Sequence, residues 1–452
     1  MADIARQSAL TILNTLDRKN LTLDMVMGDF TSGNTSLVKR DLSLINALVY
    51  GVIRWKGHID HIIAYFSKMP IEKINPEIMN ILRLGVFQLK FMDKIPDSAA
   101  VNTSVELAKK AGPVWVVKFV NGILRNTARN MDSVSYPDPK TNSALSISIN
   151  KSFPTWLVQK WLNRFGEDET LLLCDSLNKI PEITVRVNTL KTDINSLLEA
   201  LTPHVKDITI SKYAKHGVSF THPDMAIHQL DPFKHGWFQV QDEAAQLVTD
   251  ILSPLPGERI LDACSGLGGK TGHIAQAMNN HGEIIAIDND AKKLTSLNLD
   301  MQRLGVSIVK TMQIDLNDEF NSDKFGLFDR ILLDAPCSGM GVIRRNPDSK
   351  WILSKKNLNR YKQRQVRFLC ALTKFLKPKG VLAFSVCSTE PEENEAVIDA
   401  FLQVHPDFMV GCDNQRINEE LFPLKNSRGF YTSFPHLHNM DGFFITRLKQ
   451  KI

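Results

Sequence analysis

The chain has 452 residues, 43% hydrophobic and 23% charged, with a formal net charge of +5. That length fits two or three domains, each with its own core, and the composition is that of a soluble globular protein. No run reaches the ~18 uninterrupted apolar residues of a membrane span, and the start, Met1-Ala2-Asp3-Ile4-Ala5-Arg6, lacks the basic and then apolar order of a signal peptide, so the cytoplasm is the expected location.

Residues 1–130 read as helices. Ala5, Ala9, Ile12, Leu13 and Leu16 fall at helical spacing, as do Asp41, Leu44, Ile45, Leu48 and Val49, and later Phe119, Val120, Ile123 and Leu124. Turn residues separate them at Gly28, Ser32-Gly33-Asn34, Pro70, Pro96 and Gly112-Pro113. With no competing strand alternation, the expectation is an all-helical domain over 1–140. Residues 133–140 are polar and punctuated by proline, which reads as a linker.

A small α/β region is expected over 141–235. Trp156, Leu157, Trp161 and Leu162, then Leu171 to Leu173, look helical; Ile183-Thr184-Val185-Arg186-Val187 alternates as a strand; Asp193 opens a helix through Leu197, Leu198 and Leu201. From about 236 the pattern changes again. Apolar runs at Arg259 to Asp262, Ile284 to Asp288, Ile308 to Asp315, Ile331 to Asp334 and Val381 to Ser385 alternate with amphipathic stretches such as 291–304 and 358–376. Repeated βα units with doubly buried strands predict a parallel, doubly wound sheet, which binds ligands at the carboxyl ends of its strands.

Charge is uneven along the chain. Residues 1–140 hold 18 Lys/Arg against 13 Asp/Glu, and the remainder holds 36 of each. A basic appendage on a neutral body suits a polyanionic partner such as RNA; an ordinary solvated helical surface is the plain alternative.

Asp262-Ala263-Cys264-Ser265-Gly266-Leu267-Gly268-Gly269-Lys270-Thr271 follows a predicted strand and opens a helix. Its glycines let backbone N–H groups approach a ligand. A Walker A loop fails because Cys264 stands at the first glycine position, and a dinucleotide fingerprint fails because Thr271 stands at its last. The remaining reading is an S-adenosylmethionine loop. Asp288 would accept the ribose hydroxyls and Asp315 the adenine amino group.

The six cysteines, at 174, 264, 337, 370, 387 and 412, contain no Cys-x-x-Cys pair, so reduced thiols are expected and no metal site is predicted. Cys174, Cys370 and Cys412 read as small buried hydrophobes, and Cys264 as loop packing. Cys337, in Asp334-Ala335-Pro336-Cys337, and Cys387, after Ser385-Val386, fall at strand ends on the ligand side. A thiolate there suits carbon chemistry on a base. C5 of cytosine is a poor nucleophile until sulfur adds to C6, and sulfur can later leave.

At these residues the chain resembles the RNA cytosine-5 methyltransferase family. The likeness rests on Asp334 to Gly341, Arg344, Pro347-Asp348 and Cys387 to Glu395, with Gln241 to Gln246 and Asp441-Gly442-Phe443-Phe444 as flanking motifs. Leu48 to Arg54, Ile81 to Gly85 and Val120 to Arg125 resemble the helical NusB-like domain joined to this enzyme in the bacterial 16S rRNA branch, and Pro181 to Lys191 resembles its middle region.

The resemblance implies methylation of C5 of a cytosine in 16S rRNA, on the RNA or on a small-subunit assembly intermediate, with S-adenosylmethionine as donor. It implies Cys387 as nucleophile and Cys337 in product release, with Asp334 facing the base. It implies cofactor contacts from Cys264, Ser265, Gly266, Leu267, Gly268, Gly269, Lys270, Asp288, Asp315 and Asp334. Spacing alone does not choose between the thiols. Leu267 departs from the family's usual proline, which would fix φ, so a looser loop is expected, and cofactor affinity is the property this bears on. Val386 replaces a common threonine. The same chemistry on tRNA, and an RNA-binding ribosome-assembly factor, are the alternative functions. No heptads or apolar stripe argue for a dimer, so a monomer is expected.

Overall fold

The computed structural model describes residues 3–18, 21–34, 37–318, 325–411 and 419–451; Cys412 lies outside them. The chain forms two compact units. One comprises Met1–Lys179 together with Ile343–Ile352; the other comprises Ile180–Val342 and Leu353–Ile452.

The regular elements described in the first unit are all helices, and over residues 1–130 they follow the predicted spacing. Seven helices cover Ile4–Arg18, Leu23–Gly33, Lys39–Arg54, Lys56–Phe66, Pro76–Phe91, Asp97–Ala111 and Val114–Asn130. Three more, Ser143–Lys151, Thr155–Phe165 and Glu167–Asn178, follow, and a short one, Ser349–Ile352, comes from the later segment. Helix Pro76–Phe91 starts where the sequence tells it to. Asn75 accepts a hydrogen bond from Glu77 N at 2.9 Å, and Pro76 occupies a first-turn position that needs no N–H. Its Arg83 grips Asp60 with two bonds, Nε to Oδ1 at 2.7 Å and Nη2 to Oδ2 at 2.8 Å. That planar fork fixes one helix against its neighbour.

The segment Ile343–Ile352 returns to this unit long after the helices are complete in sequence. Leu23 N donates to Asp348 Oδ2 at 2.9 Å, Arg54 Nη2 to the Arg344 carbonyl at 2.6 Å, and Trp351 Nε1 to the Ile53 carbonyl at 2.8 Å. Lys350 is fully buried. Its Nζ donates to the Arg54 carbonyl at 2.8 Å and to Asn178 Oδ1 at 3.3 Å, and lies 3.9 Å from the Phe153 ring centroid. Burial drives its pKa well below that of an ordinary lysine.

The second unit carries two sheets. The smaller consists of β1 (Ile183–Val187), β2 (Lys206–Ile210), β3 (Gly217–Thr221) and β4 (Phe238–Val240), antiparallel in the order β2-β3-β1-β4. Helix Ile194–Leu201 packs Leu197 and Leu201 into its core with Val185, Val187, Phe220 and Phe238, and Asp193 caps the helix as expected.

The larger sheet contains β5 (Arg259–Ala263), β6 (Glu283–Asp288), β7 (Val309–Gln313), β8 (Phe328–Asp334), β9 (Leu376–Val386), β10 (Phe408–Val410), β11 (Tyr431–Ser433) and β12 (Phe443–Gln450). The order is β10-β12-β9-β8-β5-β6-β7, with β11 also on β12. The five strands expected from the sequence pair in parallel. β12, not anticipated as a strand, adds antiparallel to β9. The chain winds outward from β5 to β7, then crosses back to β8 on the other side of β5. Ligands bind at such a switch point, and the loops after β5 and β8 flank it.

Two boundaries differ from the sequence pattern. The helix expected over 358–376 runs from Lys355 to Leu372, and Leu376 begins β9 instead. A helical face and a buried strand both place leucine at that position, so periodicity alone does not separate them. The third strand stops at Gln313, two residues before Asp315.

Lys350→Ala should destabilise the protein by about 2–5 kcal/mol, because it leaves a cavity and strips the Arg54 carbonyl and Asn178 of their donor. Lys350→Met should cost less, since it keeps the volume over Phe153. Urea denaturation of the two variants would test both.

Candidate active site

The turn after β5 bends sharply. Cys264, Gly266 and Gly268 all have positive φ, at 63°, 57° and 86°. At Gly268 a side chain would collide with Leu297, whose Cγ lies 2.5 Å from the position of a Cβ, whereas a Cβ at Gly266 would meet nothing within 4 Å. One glycine therefore serves close packing and the other faces open space. Gly266 N donates to Asp288 Oδ2 at 2.9 Å, and Gly268 N to the Ser265 carbonyl at 3.0 Å. Leu267 is 62% exposed at the tip. From the small sheet, buried Arg186 reaches across and donates to the Gly269 carbonyl at 2.9 Å, pinning the start of helix Gly269–Ala277.

Three carboxylates surround this turn. Asp262 is fully buried; Oδ2 accepts from Thr271 Oγ1 at 2.6 Å, while Oδ1 has no partner. Burial pushes its pKa up to about 7. Asp288, at the end of β6, holds the turn through Gly266. Asp334 ends β8 and accepts from Lys270 Nζ at 2.6 Å and from Ser385 Oγ at 2.7 Å. Burial opposes the Lys270 charge, but Asp334 outweighs it and holds the lysine above its usual pKa. Asp315 stands apart. Its bonds go to Asn317 N at 2.8 Å and Asn317 Nδ2 at 2.7 Å, and these hold its carboxyl below the usual range.

The two thiols meet. Asp334 on β8 pairs in register with Ser385 on β9. Cys337 and Cys387 follow those residues by three and two positions, and their Sγ atoms lie 3.2 Å apart. Bonding to Cys387, and then burial, raise the Cys337 pKa well above an ordinary thiol. The remaining cysteines in the described residues fit a packing role: burial raises the pKa of Cys174 to about 12 and raises that of Cys264 and Cys370 as well.

A group to which the sequence motifs give no role ties the thiol loops together. Glu393 is fully buried and accepts from Ser338 N at 2.8 Å, from Ser338 Oγ and from Ser388 Oγ at 2.6 Å. Ser338 follows Cys337 and Ser388 follows Cys387, so one carboxylate clamps both loops. Gln365, on helix Lys355–Leu372, supports the arrangement by donating to the Pro336 carbonyl at 3.0 Å. Burial raises the Glu393 pKa despite these donors. A backbone bond from Gly341 N to the Cys387 carbonyl, at 3.0 Å, adds a further stitch. Gly341 and Gly442 touch so closely that a Cβ on Gly341 would lie 1.8 Å from the Gly442 carbonyl oxygen, which explains both glycines in their motifs.

A mostly parallel sheet reversing at β5, with a glycine turn and acidic strand ends, is the Rossmann-like fold of methyltransferases. Comparison with known proteins agrees. Residues 249–449 match the model for 16S rRNA methyltransferase RsmB/F, residues 3–129 the NusB family, and residues 153–228 the ferredoxin-like domain of RsmF/B-like methyltransferases. The chain is 35% identical to a probable ribosomal RNA small subunit methyltransferase B of Synechocystis, over 99% of each chain. It is 32% identical to the Bacillus subtilis protein of the same description, over 99% of this chain and 98% of that one. The crystal structure of PH0851 shares the fold, with a TM-score of 0.80 at 24% identity over 99% of this chain and 98% of that chain. The chain belongs to the RsmB/F family of 16S rRNA methyltransferases.

Glu393→Gln should destabilise the protein by about 1–3 kcal/mol, since a buried hydroxyl or amide loses its acceptor. It should also slow diamide-driven crosslinking of Cys337 to Cys387, which reads the spacing of the two loops directly.

Asp262 offers a pH test. Its folded pKa lies above the unfolded value of 3.8, so the folded state holds the proton more tightly. Stability from this group is present below the lower value and is lost as pH rises toward about 7, by at most about 1.4 kcal/mol for each pH unit crossed. The advantage of wild type over Asp262→Asn should therefore shrink between pH 4 and pH 7 in chemical denaturation.

Proposed function

We propose that the protein methylates C5 of a cytosine in 16S rRNA, with S-adenosylmethionine as donor and a transient bond from Cys387 to C6 of the base. The observation that carries this reading is the pair of thiols in contact at the ends of β8 and β9, beside the glycine turn.

The turn fits the donor. Asp262 Oδ1 and Ser265 Oγ are buried without a hydrogen-bond partner, and the space beside Gly266 is open. Unpaired buried polar atoms are costly unless a ligand satisfies them. The cofactor would be held by the turn from Cys264 to Lys270, by Asp288 and Asp334, and by Asp315 at the rim. When bound, it supplies a methyl group on a positively charged sulfur.

The chain's own residues prepare the base. The target nucleotide leaves its stack to reach the thiols, at a cost of a few kcal/mol, lower in a single-stranded loop. Asp334, held by Lys270 and Ser385, orients it. Cys387 Sγ adds to C6, and the electrons of the C5–C6 double bond pass to the ring, so that C5 becomes nucleophilic. Once C5 carries the methyl group, its proton passes to a solvent water, the C5–C6 double bond re-forms and Cys387 departs with the electrons of the C–S bond. Cys337 Sγ, 3.2 Å from Cys387 Sγ, is positioned to assist that departure. The relatives' description as small-subunit rRNA methyltransferases favours 16S rRNA over tRNA.

Incubation with labelled S-adenosylmethionine and undermethylated 16S rRNA, tRNA or DNA should label the 16S rRNA at cytosine C5. Label on none of them would sink the proposal. Cys387→Ser should abolish turnover, whereas Cys337→Ser should accumulate a covalent RNA adduct on denaturing gels. An adduct with Cys387→Ser instead would reverse the two roles.

A further inference from the structure

The balanced charge of the catalytic half conceals one concentrated patch. Helix Lys355–Leu372 contains Lys355, Lys356, Arg360, Lys362, Arg364 and Arg367, and no acidic residue. One side is core: Leu358, Gln365, Phe368, Leu369 and Leu372 are buried against the sheet. Lys356, Arg360 and Arg364 follow at intervals of four and Arg367 three later, so they form a stripe on a single face. At 1.5 Å per residue the stripe is about 16 Å long. Lys355, Lys356, Arg360 and Arg367 are exposed. Among the described residues none of the six pairs with a carboxylate. Arg364 Nε is buried and has no hydrogen-bond partner.

Like charges at this spacing oppose helix formation. Of the six charges, that of Arg364 is partly offset by Asp315, whose carboxyl it helps to hold below the usual range. Arg360, Lys362, Arg364 and Arg367, with Asn317, line an open hollow of about 760 Å³. The same helix holds the thiol loop, through Gln365 and the Pro336 carbonyl at 3.0 Å. Helix Lys355–Leu372 therefore carries both the lining of the hollow and the bond that holds the thiol loop.

We propose that the outer face of helix Lys355–Leu372 is the track for the RNA backbone flanking the target nucleotide, with Arg360 and Arg367 taking phosphates. The inference rests on the RNA substrate proposed above. A base delivered to the thiols brings its neighbouring phosphates along, and this face meets them with exposed cations, of which Arg367 also donates to Asn317 Oδ1 at 3.4 Å. Arginine suits the task, because its planar fork matches phosphate oxygens.

The test uses the full chain with the charge reversals Arg360→Glu and Arg367→Glu together, and the neutral Arg360→Gln with Arg367→Gln as a milder pair. Both residues are exposed and neither belongs to the thiol or cofactor site. Binding of an unmodified 16S rRNA transcript is measured across a salt series, alongside S-adenosylmethionine binding and thermal melting. The reversed pair should weaken RNA binding about 10- to 100-fold near 0.1 M salt. The slope of log affinity against log salt should fall by about 1.4, at about 0.7 per single-stranded phosphate contact. Cofactor affinity and melting should be unchanged. RNA affinity within twofold of wild type for both pairs, in a protein that still methylates the transcript, would overturn the track and leave the methyltransferase reading intact. Loss of binding to phosphatidylserine vesicles with RNA binding retained would overturn it too. A wild-type protein that neither binds nor methylates RNA would overturn the substrate reading, and the track with it.

Discussion

The parallel pairing of β8 with β9 is the constraint on which the catalytic unit depends. Asp334 opposite Ser385 sets the register, and everything reactive is counted from that rung. Cys337 and Cys387 leave it on adjacent loops and arrive in contact. A slip of one residue would turn every side chain of β9 to the other face, sending Ser385 away from Asp334 and separating the sulfurs. The register is over-determined. Antiparallel β12 holds β9 from the other side, and the touching glycines at 341 and 442 admit only one approach of the loops.

Charge is arranged around that rung in two layers. Lys270 and Asp334 neutralise each other at 2.6 Å, beside the thiols. Behind them, Asp262 and Glu393 are carboxyl groups in fully buried positions, both pushed toward the protonated form by desolvation. Asp334 faces Lys270 and holds the lysine above its usual pKa. Thr271 donates to Asp262, and Ser338 and Ser388 donate to Glu393.

Much of this is legible in the sequence, for identifiable reasons. The parallel strands are continuous apolar runs ending in aspartate or leading to cysteine, so their buried length and ligand-side ends can both be read. The helical first third follows from spacing alone. What stays hidden depends on partners distant along the chain. Glu393 reads as one acid in the run Glu390 to Glu395, and only the fold places it beneath Ser338, 55 residues away. Arg186 looks like the polar member of an alternating strand, yet it is buried because it reaches the Gly269 carbonyl. β12 reads as a motif and not as a strand, because its pairing with β9 is non-local. The basic helix is masked by arithmetic, since a balanced total over 312 residues says nothing about one helical face.

The return of Ile343–Ile352 to the helical unit means that the chain passes between the two units three times, after residues 179, 342 and 352. A domain joined by one linker is dispensable in principle, because cutting the linker leaves two intact cores. Here the ten-residue excursion is covalently part of one unit and by packing part of the other. Removal of the helices would expose Lys350 and Trp351, and removal of the excursion would unpair Asn178, the Leu23 amide and the Ile53 and Arg54 carbonyls. Each tether also raises the effective concentration of the others. The helical unit and the methyltransferase unit are thus joined by three chain crossings and not by one linker.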